Sequence, residues 1–270
     1  MQSKFFCAVF LLVFGSQADC TTIIFRRDGS NILVAADTRG SLATGDVIAG
    51  VARFRYDVSD RTRKIVPLKT AVFAVTGAID YRKGRLDTLD DWNALDDAMV
   101  ASKNDGNNLN LVANDWALRS VTHYQAFLKA DPQRVADIVK DHSHILELGQ
   151  FFYWQDGTPK VLVKIIEFDP GQASPVFSEE RVVTITDKEL STNNNTQELI
   201  DGKTFAAKKV SAEWAKYARK LAPVKLPSKH LQFLIEATSK IDKSVSPESD
   251  ILQIPEKGTP NWISTSGCKR

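Results

Sequence analysis

The residues with the clearest potential for chemistry are two threonines that follow an apolar segment at the start of the chain. Lys4 precedes this segment, Phe5 to Phe14, which is too short to cross a bilayer as a helix and is typical of a signal peptide. Removal of residues 1–20 would leave Thr21 with a free α-amine. A threonine hydroxyl is a poor nucleophile until a base takes its proton, and the amine of an N-terminal threonine can be that base.

Small residues at the end of the apolar segment allow two cleavage positions. Ser16 and Ala18 direct cleavage to the bond before Asp19, whereas Ala18 and Cys20 direct it to the bond before Thr21. Either position predicts an exported protein, secreted or periplasmic.

The string TTIIFRRDGSNILVAADTRGS, which begins at Thr21, resembles the opening of proteasome β-subunits and of the related bacterial ATP-dependent peptidase. Chains of that family begin with two threonines, turn at an Asp/Asn-Gly step and reach an aspartate sixteen positions after the nucleophile. Asp37 lies sixteen positions after Thr21. Further along, Arg63-Lys64-Ile65 resembles the lysine motif of the family, and FAVTGAID, which ends at Asp80, resembles its strand with a terminal Ser/Ala-Gly. A fainter resemblance returns in FLIEATSKIDKSVSPESDILQI near the end of the chain.

The resemblance implies a role for each of five residues. Thr21 would be the nucleophile, and Asp37 would hold Lys64 charged and aimed. An ammonium group close to the α-amine lowers the pKa of that amine, which is ordinarily about 7.7–8.0, so that more of it is free to act as a base. The amide of Gly77 would donate to the oxyanion of the tetrahedral intermediate. Ser41 matches the position whose backbone pairs with an extended substrate.

These roles imply a threonine-type hydrolase, similar to an endopeptidase, that acts on amide bonds of peptides or acyl amides. The resemblance implies neither a cofactor nor a metal ion, and it is compatible with a homo-oligomer. A different class stays open, namely a catalytically silent proteasome-like subunit kept for assembly or binding. Such a subunit would be expected to lose the lysine, the aspartate or the nucleophile, and the sequence retains all three.

A second nucleophile also stays open. Cys20 followed by two threonines resembles the start of cysteine-type N-terminal nucleophile amidases, such as bile salt hydrolases and penicillin V acylases. Those enzymes carry an arginine and Asn-x-Asp near the end of the second strand. This chain instead has Ala35-Ala36-Asp37 with Arg63-Lys64 downstream, as the threonine enzymes do, which favours Thr21.

The turn after the first strand bears on the same choice. A two-residue turn at Asp28-Gly29 sets Cys20 directly opposite Asp37, whereas a three-residue turn centred on Gly29 sets Thr21 there.

The elements that must position these residues begin with a hairpin, because TTIIFRR and NILVAAD are β-rich runs joined by an Asp-Gly step. Further strands are predicted at KIVPL, TAVFAVTG, QFFYW, KVLVKIIEF, ILQI and NWI. Helices are predicted from four groups of apolar residues: Val112, Trp116, Tyr124 and Phe127, ending at Asp131-Pro132; Val135, Ile138 and Val139; Phe205, Trp214 and Tyr217; Leu231, Leu234, Ile235 and Thr238.

This order predicts an α+β fold with sheets packed between helices. The resemblance implies a four-layer αββα sandwich of two mainly antiparallel sheets, the N-terminal nucleophile (Ntn) hydrolase fold. At 270 residues the chain is long enough for one full-sized core, and no segment reads as a linker. We therefore predict a single domain over residues 21–270 after a signal peptide over residues 1–20.

Composition limits the classes of partner that the protein is expected to bind. Apolar residues make up 43% and charged residues 25%, and the net charge of +2 gives no reason to expect nucleic acid. No membrane association is expected after processing.

Cys268 would be left alone once Cys7 and Cys20 are removed, so no disulfide framework is predicted. His142 and His144, which lack further spaced ligands, are interpreted as surface residues, and Asn194 starts a glycosylation sequon of low specificity.

Overall fold

The computed structural model describes residues 22–48, 51–77, 80–82, 89–133, 135–136, 145–187, 190–192, 200–201, 207–242 and 245–266. Several residues singled out in the sequence lie outside these ranges: the signal peptide with Cys20, Thr21, Ile138, Val139, His142, His144, Asn194, Phe205 and Cys268.

The first two strands, β1 (Ile23–Asp28) and β2 (Asn31–Asp37), form a hairpin at the centre of a six-stranded antiparallel sheet. The strand order is β13-β12-β1-β2-β14-β15. The outer strands are β12 (Leu190–Thr192), β13 (Ile200–Asp201), β14 (Ser249–Pro255) and β15 (Asn261–Ser264). Both faces of β2 are buried, which explains why its sequence is apolar almost throughout.

A second antiparallel sheet has five strands in the order β11-β10-β9-β6-β5. Its strands are β5 (Ile65–Pro67), β6 (Ala71–Gly77), β9 (Ile145–Gln155), β10 (Thr158–Asp169) and β11 (Ser174–Thr184). Asp156 and Gly157, with φ of 50° and 70°, join β9 to β10. Two positive φ angles are what a tight type I′ hairpin turn requires, and an Asp-Gly step favours such a turn.

A third sheet has four strands in the order β4-β3-β7-β8. Its long hairpin consists of β3 (Gly40–Ile48) and β4 (Val51–Ser59), and β7 (Asp80–Arg82) runs parallel to β3. The short β8 (Trp92–Asn93) leads directly into the first helix.

The described helices are α1 (Ala94–Asp105), α2 (Leu109–Ala130), α3 (Ala207–Ala218) and α4 (Leu226–Ile241). The Asn93 side chain caps α1 by accepting hydrogen bonds from two backbone amides of its first turn. None of these helices combines the length and apolar character needed to cross a membrane.

Three buried clusters separate the layers. One lies between α1, α2 and the five-stranded sheet around Trp116. The next lies between the two larger sheets around Phe25 and Phe152, and the third lies between the six-stranded sheet and α4 around Leu231. The described part of the chain is therefore α+β, with mainly antiparallel sheets packed against helices, as predicted.

Most predicted elements are confirmed, and the strongest exceptions lie in polar segments. The segment after Asp37, for which no strand or helix was predicted, forms the β3–β4 hairpin. Val47, an apolar residue of this hairpin, is 40% exposed. Apolar residues at exposed positions break the alternation of apolar and polar residues from which a strand is predicted. Strand β11 and helix α1 were not predicted either.

Both predicted positions of the first turn are wrong. Asp28 pairs with Asn31, so Gly29 is the first of two turn residues and has φ of +58°. Glycine takes this first central position in type II′ turns, whereas the prediction assumed that Asp28 would occupy it. The register moves accordingly, and the residue opposite Asp37 is Thr22, whose carbonyl accepts a hydrogen bond from the Asp37 amide at 3.1 Å.

Candidate active site

The site begins with a buried ion pair between two residues that the sequence brought forward. Asp37 ends β2, and Lys64 lies directly before β5. The Lys64 Nζ donates to both carboxylate oxygens of Asp37, at 3.0 and 3.1 Å. Exposure is 0% for Asp37 and 1% for Lys64. Full burial of two charges is uncommon unless they are paired, as they are here.

Three backbone amides complete the surroundings of the Asp37 carboxylate. The Thr22 amide donates to Oδ1 at 2.8 Å, and the amides of Arg39 and Ser246 donate to Oδ2 at 3.1 and 3.3 Å. The carboxylate therefore joins the first strand, the end of the second strand and the segment before β14 at one point. Hydrogen bonds to the charged form of a carboxylate stabilise that form.

Two backbone hydrogen bonds, one at Lys64 and one at Thr62, hold the chain in position at this point. The Lys64 carbonyl accepts a hydrogen bond from Val75 of β6 at 3.0 Å, which extends the pairing of β5 with β6. The Thr62 amide donates to the Thr38 carbonyl at 2.8 Å. Gly40 lies against Thr62, since a Cβ at position 40 would come within 2.7 Å of the threonine methyl group.

The predicted nucleophiles Thr21 and Cys20 lie outside the described residues, so the site is described from Thr22 onward. Thr22 itself is 7% exposed, and its amide is bonded to Asp37.

Gly77 ends β6 in a conformation that other residues rarely adopt. Its φ is +115°, and a Cβ at this position would lie 2.3 Å from the Leu146 carbonyl oxygen. Only glycine fits such a close approach of two backbones. Gly77 lies two residues beyond Val75, the partner of Lys64, so it is at the same end of the sheet as the ion pair.

Ser41 lies in β3, where its backbone pairs with Val58 of β4. Next to it, Leu42 lines a cavity of about 450 Å³ whose walls also include Thr62, Trp92 and the half-buried Asp80. Burial raises the pKa of the Asp80 carboxyl, which the charge of Arg82 partly counteracts. The cavity therefore adjoins both the predicted substrate strand and the loop that carries Lys64.

Sequence reasoning missed two supports of the site. Ser246 accepts a side-chain hydrogen bond from Thr38 at 3.3 Å besides donating its amide to Asp37. Next to Lys64, the Arg63 guanidinium lies 4.9 Å from the centre of the Trp262 ring and 3.7 Å from buried Asp250. These contacts join the end of the chain to the start, and no local signal in the sequence indicates them.

Comparison of the sequence with protein-family models and with curated proteins gave no match. Among the described residues, no group of histidine, cysteine and acidic side chains has the arrangement of a metal site.

Proposed function

We propose that this protein is an exported amide-bond hydrolase whose nucleophile is an N-terminal Thr21 exposed by removal of the signal peptide. The observation that carries the proposal is the buried Lys64–Asp37 pair with the Thr22 amide bonded to the same carboxylate. We further propose that the packing of helices on two sheets is that of the Ntn-hydrolase fold.

The first support is the short connection from the ion pair to residue 21. The carbonyl carbon of that residue is covalently bonded to the Thr22 nitrogen, which lies 2.8 Å from Asp37 Oδ1. Lys64 Nζ lies 3.0 Å from the same oxygen. The Thr22 amide and the Lys64 ammonium therefore meet at one carboxylate oxygen, next to the peptide bond that joins Thr22 to Thr21.

The chemistry follows from this proximity. The Lys64 ammonium disfavours a second positive charge, so it lowers the pKa of the Thr21 α-amine and keeps more of that amine unprotonated at neutral pH. The amine takes the hydroxyl proton, through a water, as the oxygen attacks the carbonyl carbon of the substrate. The proton is then delivered to the leaving amine, which leaves an ester on Thr21. Water attacks the ester, releases the acid and restores the hydroxyl.

The tetrahedral intermediates need a donor for their oxyanion, and the Gly77 amide is our candidate. A preorganised donor of this kind is worth about 3–4 kcal/mol. Gly77 suits the role because the Leu146 carbonyl packs against it and limits its movement.

The burial of the ion pair is a further argument for chemistry. Desolvation makes a buried pair weak evidence for stability, because well-packed apolar residues often do as well. A role in tuning a neighbouring amine explains why two charges are kept at this position.

The register of the first hairpin favours Thr21 over Cys20. Because Thr22 is opposite Asp37, Thr21 is one residue beyond that point and Cys20 is two. The Thr21 nucleophile needs one residue of chain from the contact of Thr22 with Asp37, whereas a Cys20 nucleophile needs two.

Substitution on the exported protein tests the proposal, with hydrolysis of a library of fluorogenic peptide and acyl amides as the readout. Thr21→Ala keeps the amine but removes the attacking oxygen, so turnover should fall by several orders of magnitude while the protein still folds. Cys20→Ala should retain activity, because alanine suits the position before the cleaved bond.

The cysteine alternative reverses these outcomes and adds sensitivity to thiol alkylation. Full activity in both variants would mean that the proposal is wrong. A silent subunit would hydrolyse nothing in the library even as the wild type, although it would begin at Thr21.

A further inference from the structure

A buried acid on the central strand β9 takes no part in the chemistry proposed above. Glu147 has 0% exposure, and neither of its carboxylate oxygens has a hydrogen-bond partner among the described residues. The Ser120 hydroxyl approaches it from α2 but stays outside hydrogen-bond geometry. An unpartnered buried carboxylate is costly, so a position like this calls for an explanation.

The backbone of Glu147 is in direct contact with Gly77. The two residues are cross-strand partners at the end of β6, and a Cβ on Gly77 would lie 2.9 Å from the Glu147 Cα and 2.3 Å from the Leu146 oxygen. Leu146 also accepts a hydrogen bond from the Tyr124 hydroxyl at 3.2 Å. The register between β9 and β10 shifts at this residue, which marks a bulge. The backbones of Glu147 and Gly77 are therefore packed too closely for one to move far without the other.

The electrostatic surroundings of Glu147 favour its neutral form. Burial raises the pKa of its carboxyl well above the usual range, and the negative charge of Asp97 on α1 raises it further, whereas Ser120 lowers it. Its cross-strand neighbours on β6 and β10, Gly77 and Ile166, carry no charge. On α2, the charged or titratable side chains that act on Asp97 are Asp115, Arg119 and His123, and the Tyr124 hydroxyl bonds to the Leu146 carbonyl.

Asp97, whose charge acts on Glu147, itself lies close to a partly exposed histidine. Its Oδ2 accepts a hydrogen bond from the Trp92 indole at 2.7 Å and lies 3.5 Å from His123 Nε2. The His123 side chain is 32% exposed.

We propose that Glu147 is a positioning residue, which holds the Gly77 end of β6 in place while its carboxyl carries a proton and releases that end when it ionises. The folded protein binds this proton more tightly than the unfolded chain does. Stability from this group is therefore fully present at acid pH and is lost as the pH rises through the pKa in the folded state. The effect on the fold stands alone, and an effect on turnover rests on the proposed function.

The test follows the backbone amide resonance of Gly77 and the unfolding temperature in the full mature protein as the pH is raised from acid to alkaline. In the wild type, the Gly77 resonance should move with a midpoint well above the range of an ordinary glutamate. The unfolding temperature should fall, relative to Glu147→Gln, as the pH rises from the pKa of an unfolded glutamate toward that midpoint, and this difference should level off above it. Glu147→Gln should abolish both changes. Glu167→Gln is the matched control on the adjacent strand, and it should titrate as the wild type does. An unmoved Gly77 resonance in the wild type, or the same movement in Glu147→Gln, would overturn the proposal.

Two neighbouring variants keep the test decisive even if Glu147→Gln does not fold. Ser120→Ala removes a group that favours the charged form, so the midpoint should rise, whereas Asp97→Asn removes a repelling charge, so the midpoint should fall. A midpoint that neither variant moves would also overturn the proposal. Under the proposed function, turnover of the wild type should decline at the same midpoint, and Glu147→Gln should lack this decline. If Thr21→Ala stays active while the Gly77 amide resonance still moves with pH, only the proposed function fails.

Discussion

Replacing Lys64 by methionine is the sharpest test of the buried ion pair. The change keeps most of the side-chain volume but leaves the Asp37 charge without its cation. Breaking a buried pair by removing one partner costs about 3–5 kcal/mol. Asp37 keeps three backbone amide donors, from Thr22, Arg39 and Ser246, so we expect a loss near the lower limit. A loss of about 3 kcal/mol lowers Tm by roughly 6–12 °C in a domain of this size.

The free energy of unfolding should be measured by urea denaturation followed by tryptophan fluorescence and circular dichroism. Arg55→Met is the control, because it breaks the pair of Arg55 and Asp57, whose side chains are 70% and 54% exposed, and should cause no measurable loss. The double variant Lys64→Met/Asp37→Asn should regain part of the lost stability, since it removes the uncompensated charge. A Lys64→Met protein as stable as the wild type would refute the reasoning.

Three other substitutions test the strain at Gly77, the packing of Trp116 and the role of Lys64 in the proposed chemistry. Gly77→Ala should lower the free energy of unfolding, measured by urea denaturation, by about 1–3 kcal/mol, because alanine is strained at a positive φ and its methyl group would meet the Leu146 carbonyl. An unchanged free energy of unfolding would show that the position is not strained. Gly149→Ala places a methyl group 2.3 Å from the Trp116 ring, so it should lower the free energy of unfolding by about 1–3 kcal/mol and alter the near-UV circular dichroism spectrum. An unchanged spectrum and an unchanged free energy of unfolding would contradict this packing. Lys64→Ala should lower amide hydrolysis at neutral pH with partial recovery as the pH rises, and a parallel loss at every pH would argue against a role in tuning the amine.

The sequence predicted the strands that carry the site because their signal is local. NILVAAD is apolar on both faces, and its final aspartate marks the end of the strand in sequence and structure alike. The pairing of Asp37 with Lys64 followed from a motif, and the structure brings the two side chains together.

The register of the hairpin was beyond local reasoning. An Asp-Gly step permits several turns, and β14 pairs with β2 along its whole length, which adds a constraint from the far end of the chain. The position of Gly29 in the turn depends on this sheet as well as on its own residue type.

The polar supports of the site were missed for a related reason. Ser246 bonds to Asp37 across 209 positions of sequence, and Glu147 is buried on a central strand against which α2 packs. A single polar residue in such a segment is indistinguishable in sequence from one that faces solvent.

The N-terminal residue of the exported protein tests the central claim most directly. Secreted material should be purified without an N-terminal tag and analysed by intact-mass spectrometry and Edman degradation, alongside its amide hydrolase activity. The account predicts that the active species begins at Thr21 and carries a free α-amine. An active species that begins at Cys20 or upstream of it, or one whose amine is blocked, would contradict it.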